Sequence, residues 1–235
     1  MSEGTATTDR AIVNCAVIEA PPEKVFAAFT TADSLAKFFA TSAEFDGRWG
    51  GQWKLVDTNY PHKSTGSGTV TGWEPPNLVR MDWSWYKTNL HPTQVTYRIL
   101  PHEKGSLLIV QHHGWGAGSD WDYEFSDHSE GWPKVVSQAA AFLGAALIWV
   151  SPGASAKPDQ QTWEVLKTAR DRIQAHYDLV VRDREEIQRR IDRLKKSTGV
   201  VRLNDVDALE KEFDKKDDEA RRLELDLRDV ELLMK

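Results

Sequence analysis

The residues best suited to chemistry in this chain are few: one cysteine, seven histidines and five tyrosines. Cys15 lies in the apolar run Ile12-Val13-Asn14-Cys15-Ala16-Val17-Ile18, where a thiol behaves as a small buried hydrophobe. Being alone, it forms no intramolecular disulfide and completes no cysteine-based zinc cluster. His112 and His113 are adjacent, and on a strand they point to opposite faces, so they do not readily share one metal. Adding His91, His102 or Asp120 to them requires a fold that gathers distant segments. Gly114-Trp115-Gly116-Ala117-Gly118-Ser119 is glycine-rich, yet it lacks the lysine and the strand-to-helix context of a phosphate loop. It reads as a flexible loop, with Trp115, Trp121 and Tyr123 covering a ligand, making a surface contact or forming a local minicore. His112 is the imidazole able to move a proton near neutral pH, but no nucleophile or acid can be matched to it. Neither a metal nor a cofactor is expected.

Aromatic content is the larger signal. Ten tryptophans occur in 235 residues, nine of them within the first 150. Indoles bury much apolar area and carry one N–H that seeks a partner. A region built this way fills a thick core or lines a hollow one. The net charge of −6 gives no attraction to nucleic acid or an anionic membrane. Arg189-Arg190 and Lys195-Lys196 sit among acids and read as solvated helix surface. The polar start and the short apolar stretch Ala139–Val150 predict neither a signal peptide nor a membrane span, and point to a cytoplasmic protein.

Charge divides the chain in two. Residues 1–150 hold 11 basic and 16 acidic residues, whereas residues 151–235 hold 19 and 20. The stretch 151–158, rich in small residues and proline, reads as a linker or helix break. In the first region Ile12–Glu19 predicts a strand. Pro21-Pro22 opens a short helix over Glu23–Phe29, and Ala32–Phe39 predicts another. Strands are expected at Gln52–Val56, Gly68–Trp73, Leu78–Trp85, Thr93–Leu100 and Ser106–His113, separated by turn-forming residues and therefore antiparallel. A helix over Ser129–Leu147 closes the region, its apolar face directed at the sheet. In the second region Trp163, Leu166, Arg170, Ile173, Tyr177, Val180, Arg184, Ile187, Ile191 and Leu194 recur at steps of three and four, as do Val206, Leu209, Phe213, Lys216, Ala220, Leu223, Leu227, Val230 and Met234. Two coiled-coil helices in an antiparallel hairpin are predicted, with a break around Gly199 and an N-cap at Asn204 and Asp207.

The first region resembles the START-like (Bet v 1-like) superfamily, specifically bacterial proteins similar to the C-terminal domain of activator of Hsp90 ATPase. The resemblance rests on Ala20-Pro21-Pro22-Glu23-Lys24-Val25-Phe26-Ala27-Ala28-Phe29-Thr30, Gly50-Gly51-Gln52-Trp53, the segment Gly68 to Val79 with Pro75-Pro76, and Glu130-Gly131-Trp132. It covers roughly residues 12–148. It implies an α+β helix-grip fold, a curved antiparallel sheet wrapped on a long helix, with a cavity for hydrophobic small molecules; some relatives are cyclases or aromatases. The expected organisation is a START-like domain at 11–150 and a helical hairpin at 157–235, the latter outside the family pattern.

Strand alternation then places candidate ligand-binding residues. Trp53 and Leu55 face inward on one strand, Met81, Trp83 and Trp85 on another, and Tyr97 beside Val95 and Ile99 on a third. The family register directs Val110 and His112 inward and His113 outward. Trp132 lies on the long helix, and Phe38 and Phe39 form part of a lid. Tyr97 and His112 are the polar groups available to orient a ligand. Three functions follow. The first is binding of an apolar or aromatic small molecule, with the tail mediating self-association, as in a homodimer. The second is an adaptor that recruits a protein partner through residues 157–235. The third is a cyclase- or aromatase-type enzyme using His112 and Tyr97.

Overall fold

The computed structural model describes residues 10–58, 64–85, 90–150, 160–196 and 203–234, with side chains described from 206 onward in the last segment. The chain divides into two compact units, one running through Thr162 and the other from Trp163 to Lys235.

In the first unit, eight strands form one sheet: β1 (Ile12–Ile18), β2 (Ser42–Phe45), β3 (Gln52–Asp57), β4 (Ser64–Glu74), β5 (Leu78–Trp83), β6 (Thr93–His102), β7 (Gly105–His113) and β8 (Leu147–Val150). Their order is β2-β3-β4-β5-β6-β7-β1-β8, with antiparallel pairing throughout. The helices α1 (Pro22–Thr30), α2 (Ala32–Phe38) and α3 (Ser119–Phe142) share one core with the sheet. Pro22 suits the first turn of α1 because its missing N–H would have no helical partner there. Val25, Phe26 and Phe29 recur on one side of the helix and are buried.

Two glycines on β4 make room for indoles. A Cβ on Gly66 would overlap the Trp85 ring, and one on Gly68 would lie 2.8 Å from Trp53 Nε1 and strike the Asp82 carbonyl. The strand lacks side chains here because large rings from its two neighbours occupy that volume.

Three elements differ from the sequence expectation. β2 pairs with β3 over Ser42–Phe45, a four-residue strand too short to leave a clear alternation. α3 begins ten residues before the expected Ser129, so Trp121 lies within it. Asp120 and Asp122 in its first turn suit the positive end of the helix dipole, although their polarity reads as loop. At the other end, α3 stops at Phe142 instead of running to Leu147. Gly144 takes φ +62°, its N–H bonds to Ala141 O, and Ala145 N–H bonds to Ala140 O. This left-handed cap releases Leu147-Ile148-Trp149-Val150 to pair along β1 as β8.

The second unit is a packed pair of helices, α4 (Gln160–Lys196) and α5 (Leu203–Leu233). Ile187 and Ile191 pack with Val206 and Leu209. Lys195–Glu210 at 2.6 Å, Arg184–Asp217 at 2.7 Å and His176–Glu219 at 3.3 Å link positions that rise on one helix as they fall on the other, as antiparallel packing requires. Beyond Leu223 the buried line runs through Asp226, Val230 and Leu233 instead of the expected Leu227, Val230 and Met234. The expected linker at 151–158, the Gly199 break and the Asn204 capping side chain lie outside the described residues.

Candidate functional site

Alternation on the central strands brings the sequence-predicted set together. Trp53, Leu55, Met81, Trp83, Tyr97, Val110 and Trp132 are buried in one core, with Phe38, Phe39 and Trp85 half-buried against it. His112 is fully buried among them and touches the rings of Trp83 and Trp132. Register accounts for this convergence: Met81 pairs with Val95, Val79 with Tyr97, Tyr97 with Val110, and Val95 with His112, so inward positions meet inward positions across three strands. His113 alternates to the other face, as expected, but is buried too, because β7 is covered on both sides.

The rings form a connected stack. Trp53 and Trp83 lie 4.5 Å apart at 27°, while Trp83 and Trp85 lie 5.9 Å apart at 12°. Phe39 is near-parallel to Trp83 and Trp85 at 6.1 and 6.0 Å, and Trp132 meets it edge-on. Phe38 bridges Phe29 to Phe142, which is 43% exposed at the end of α3. Deeper in, Tyr97 is flanked by Phe29 at 4.8 Å and Trp132 at 5.8 Å.

The indole N–H groups settle the protonation of two buried histidines. An indole nitrogen donates and never accepts. Trp132 Nε1–H donates to His112 Nδ1 at 3.1 Å, so that nitrogen carries a lone pair and the ring proton sits on Nε2. From there it is donated to Thr93 Oγ1 at 2.6 Å, and the Thr93 hydroxyl in turn donates to the Trp83 carbonyl at 3.2 Å. His128 is the mirror case. Trp83 Nε1–H donates to its Nε2 at 3.1 Å, leaving the proton on Nδ1 to bond the Glu124 carbonyl at 2.8 Å. Two neutral imidazoles of opposite tautomer thus lie 5.1 Å apart. Burial holds the His112 pKa well below the usual histidine value, with His128 and His113 adding repulsion. Burial also lowers His128, opposed by the hydrogen bond it donates to the Glu124 carbonyl and by the charge of Asp127.

This network limits what the site can do. His112 offers no idle lone pair to a substrate, since its acceptor nitrogen is held by Trp132. Glu124, Asp127 and His128 bring one potential metal-ligating atom each within 4.8 Å of one another. The His128 lone pair, however, is already given to Trp83, and its other nitrogen carries the proton. Trp115 is fully buried and donates to the His112 carbonyl at 2.9 Å, which excludes a surface contact. Trp121 is also buried, whereas Tyr123 is exposed. Cys15 is buried and its thiol is pushed far above the ordinary range by desolvation.

Sequence reasoning missed Thr93 and His128. His128 lay outside the expected helix, but Trp121, Phe125, His128, Trp132 and Val136 recur at steps of four and three and could have revealed both the longer helix and its buried histidine.

Sheet, gripping helix and aromatic interior together define a helix-grip protein of the α+β class. Residues 19–144 match the family described as "Activator of Hsp90 ATPase homolog 1-like protein". With more than half of its length matched, the chain belongs to that family. Among solved structures it is similar to protein NE0264 from Nitrosomonas europaea, at 16% identity and TM-score 0.51, covering 58% of this chain and 96% of that one. Protein MLL2253 from Mesorhizobium loti is similar at 19% identity and TM-score 0.50, covering 57% and 97%. An HSP90 activator from Plasmodium falciparum, PFC0360w, matches at 21% identity and TM-score 0.48, covering 59% and 98%. None of the curated proteins matches. Among the described residues, no helix is long and apolar enough to cross a membrane.

Proposed function

We propose that the helix-grip unit binds an apolar or aromatic small molecule within its aromatic interior. One observation carries this reading: the ring stack runs without a charged member from a partly exposed rim, Phe142, Phe38, Phe39 and Trp85, to the buried Tyr97. Flat faces at the rim receive an apolar ligand without desolvating a charge. Family membership and fold agree with ligand binding. An acid–base role for His112 draws no support from a ring whose two nitrogens are engaged. The helical pair is assigned to self-association, for which the exposed Leu179 and Leu232 offer apolar surface.

Native mass spectrometry of freshly purified full-length protein, repeated under denaturing conditions, tests both assignments. The expected result is a small extra mass that denaturation releases and that Trp85→Ala reduces several-fold. Protein that carries no such mass, and takes none up from an extract of its host, would overturn the binding reading. A dimer in the same spectrum supports self-association, and a monomer at micromolar concentration removes it.

A further inference from the structure

The two buried imidazoles are held by donors that cannot reverse. Trp83 Nε1–H points at His128 Nε2 across 3.1 Å, and Trp132 Nε1–H points at His112 Nδ1 across 3.1 Å. A proton added to either nitrogen sets two N–H groups head to head, and neither indole can turn acceptor. A neutral ring is therefore a condition of both contacts. The imidazoles lie 5.1 Å apart, so the first to charge opposes the second. His128 is the one placed to take the proton. From its own helix it faces Asp127 and Glu124, whose carboxylate lies 3.9 Å from Nδ1, and from β7 it faces His112. His112 is repelled by His128 and His113, and β6 offers it the Thr93 hydroxyl. The indoles of Trp83 and Trp115 that meet His128 do not titrate.

The helix that carries His128 is weakest just beyond it. Pro133 lies inside α3 and has no N–H, so the Ser129 carbonyl four residues back receives no helical bond from it. At the other end Gly118 takes φ +110° before the first turn. Residues 119–130 thus lie between a permissive glycine and a missing backbone bond, where helices bend. Within them His128 bonds to the ring stack of the sheet, and Asp122 meets Arg10 at the surface. We infer that residues 119–130 form a proton-operated latch: neutral His128 fastens this half of α3 to Trp83, and a proton on His128 releases it about Pro133. The inference concerns the protein without ligand and does not depend on the binding reading above. Burial of both imidazoles sets the operating range below pH 6.5, so the latch is shut at neutral pH and opens in acid. Beyond the hinge, Val136, Ala139 and Ala140 keep the second half of α3 buried in the core.

Four buried indoles supply both the test and its control. Trp83 and Trp132 donate to imidazoles, whereas Trp53 and Trp115 donate to the backbone carbonyls of Asp82 and His112, which do not titrate. Isotope-labelled, ligand-free, full-length protein is titrated from pH 7.5 to 4 while nuclear magnetic resonance follows the indole N–H signals and backbone amide exchange. The Trp83 signal is expected to shift and lose protection before that of Trp53 changes. Amide protection should fall about tenfold across residues 122–130 while residues 134–142 hold. His128→Gln, which keeps an acceptor that does not titrate, should make the Trp83 signal and the protection of 122–130 independent of pH over this range. Asp127→Asn, at a half-buried position, should move the Trp83 transition to lower pH, and it keeps the test decisive if His128→Gln does not fold. Loss of all four indole signals at a single pH would overturn the latch, as would a Trp83 signal constant down to pH 4. An acid response that survives in His128→Gln, or a midpoint that Asp127→Asn leaves in place, would overturn it equally.

Discussion

The two units of this chain hold themselves together with opposite materials. The helix-grip unit is held by stacked rings and by hydrogen bonds between neutral buried groups, such as Trp83 to His128 and Trp132 to His112. The helical pair uses a thin apolar seam flanked by ion pairs such as Arg184–Asp217 and Lys195–Glu210. Directional bonds inside a dry core fix tautomer and rotamer, and they fail abruptly when one partner goes. Exposed or half-exposed ion pairs tolerate loss, because water replaces what is removed. A shaped interior able to select a ligand needs the first kind of construction. A helical surface that meets other surfaces is served by the second.

Tryptophan fluorescence reports mainly on the first unit and far-ultraviolet helicity mainly on the second, so each half of this contrast can be tested separately. The largest effect is expected from Trp83→Ala, which removes the ring shared by Trp53, Trp85, Phe39 and Trp132 and strips His128 of its donor. A loss of about 3–5 kcal/mol is expected in urea unfolding followed by fluorescence. A loss below about 1 kcal/mol would mean that the stack is not the main support of this unit.

Acid should act next, and on the same unit. Both buried histidines have folded pKa values below the ordinary 6.5. Below pH 6.5 the unfolded chain binds protons that the folded core refuses, so stability present at neutral pH is lost as pH falls towards the folded values. The fluorescence-detected urea midpoint should therefore drop between pH 7.5 and 5.5. His112→Asn, which keeps an acceptor for Trp132 while removing the titrating ring, should flatten that slope. An unchanged slope would assign the acid sensitivity elsewhere.

The smallest effect belongs to the helical pair. Arg184→Gln breaks the bond to Asp217, and less than about 1 kcal/mol should be lost from the helicity transition. Raising the salt to 1 M should shrink that difference by screening. A loss comparable to that from Trp83→Ala would dissolve the contrast between the units.

What the sequence disclosed follows the same division. Strict alternation on β5 and β6 placed Met81, Trp83 and Tyr97 on one face, because a period of two survives in any sheet with a single dry side. The steps of three and four in α4 and α5 were equally plain, although burial of Asp226 and Asp229 contradicts any rule that keeps carboxylates outside. The opening of α3 was hidden because Asp120, Asp122 and Glu124 resemble loop chemistry, and their fitness for a helix start shows only once the start is known. Partnerships were least legible. Nothing in the spacing of His112, His128, Thr93 and Trp132 announces that they meet, since each pair is joined through the register of separate strands and the rotation of a helix.

The stacking of Trp53 on Trp83 carries an optical consequence. Two indoles 4.5 Å apart and 27° from parallel couple their electronic transitions, so light absorbed by one is shared with the other. The circular dichroism of such a pair is a paired positive and negative band that neither ring produces alone. Because Gly68 provides the space in which Trp53 lies, the signature belongs to the folded arrangement of three strands and not to the presence of tryptophan. The interior of this protein thus has a colour of its own in the ultraviolet, and any molecule that slips between or beside those rings will change it.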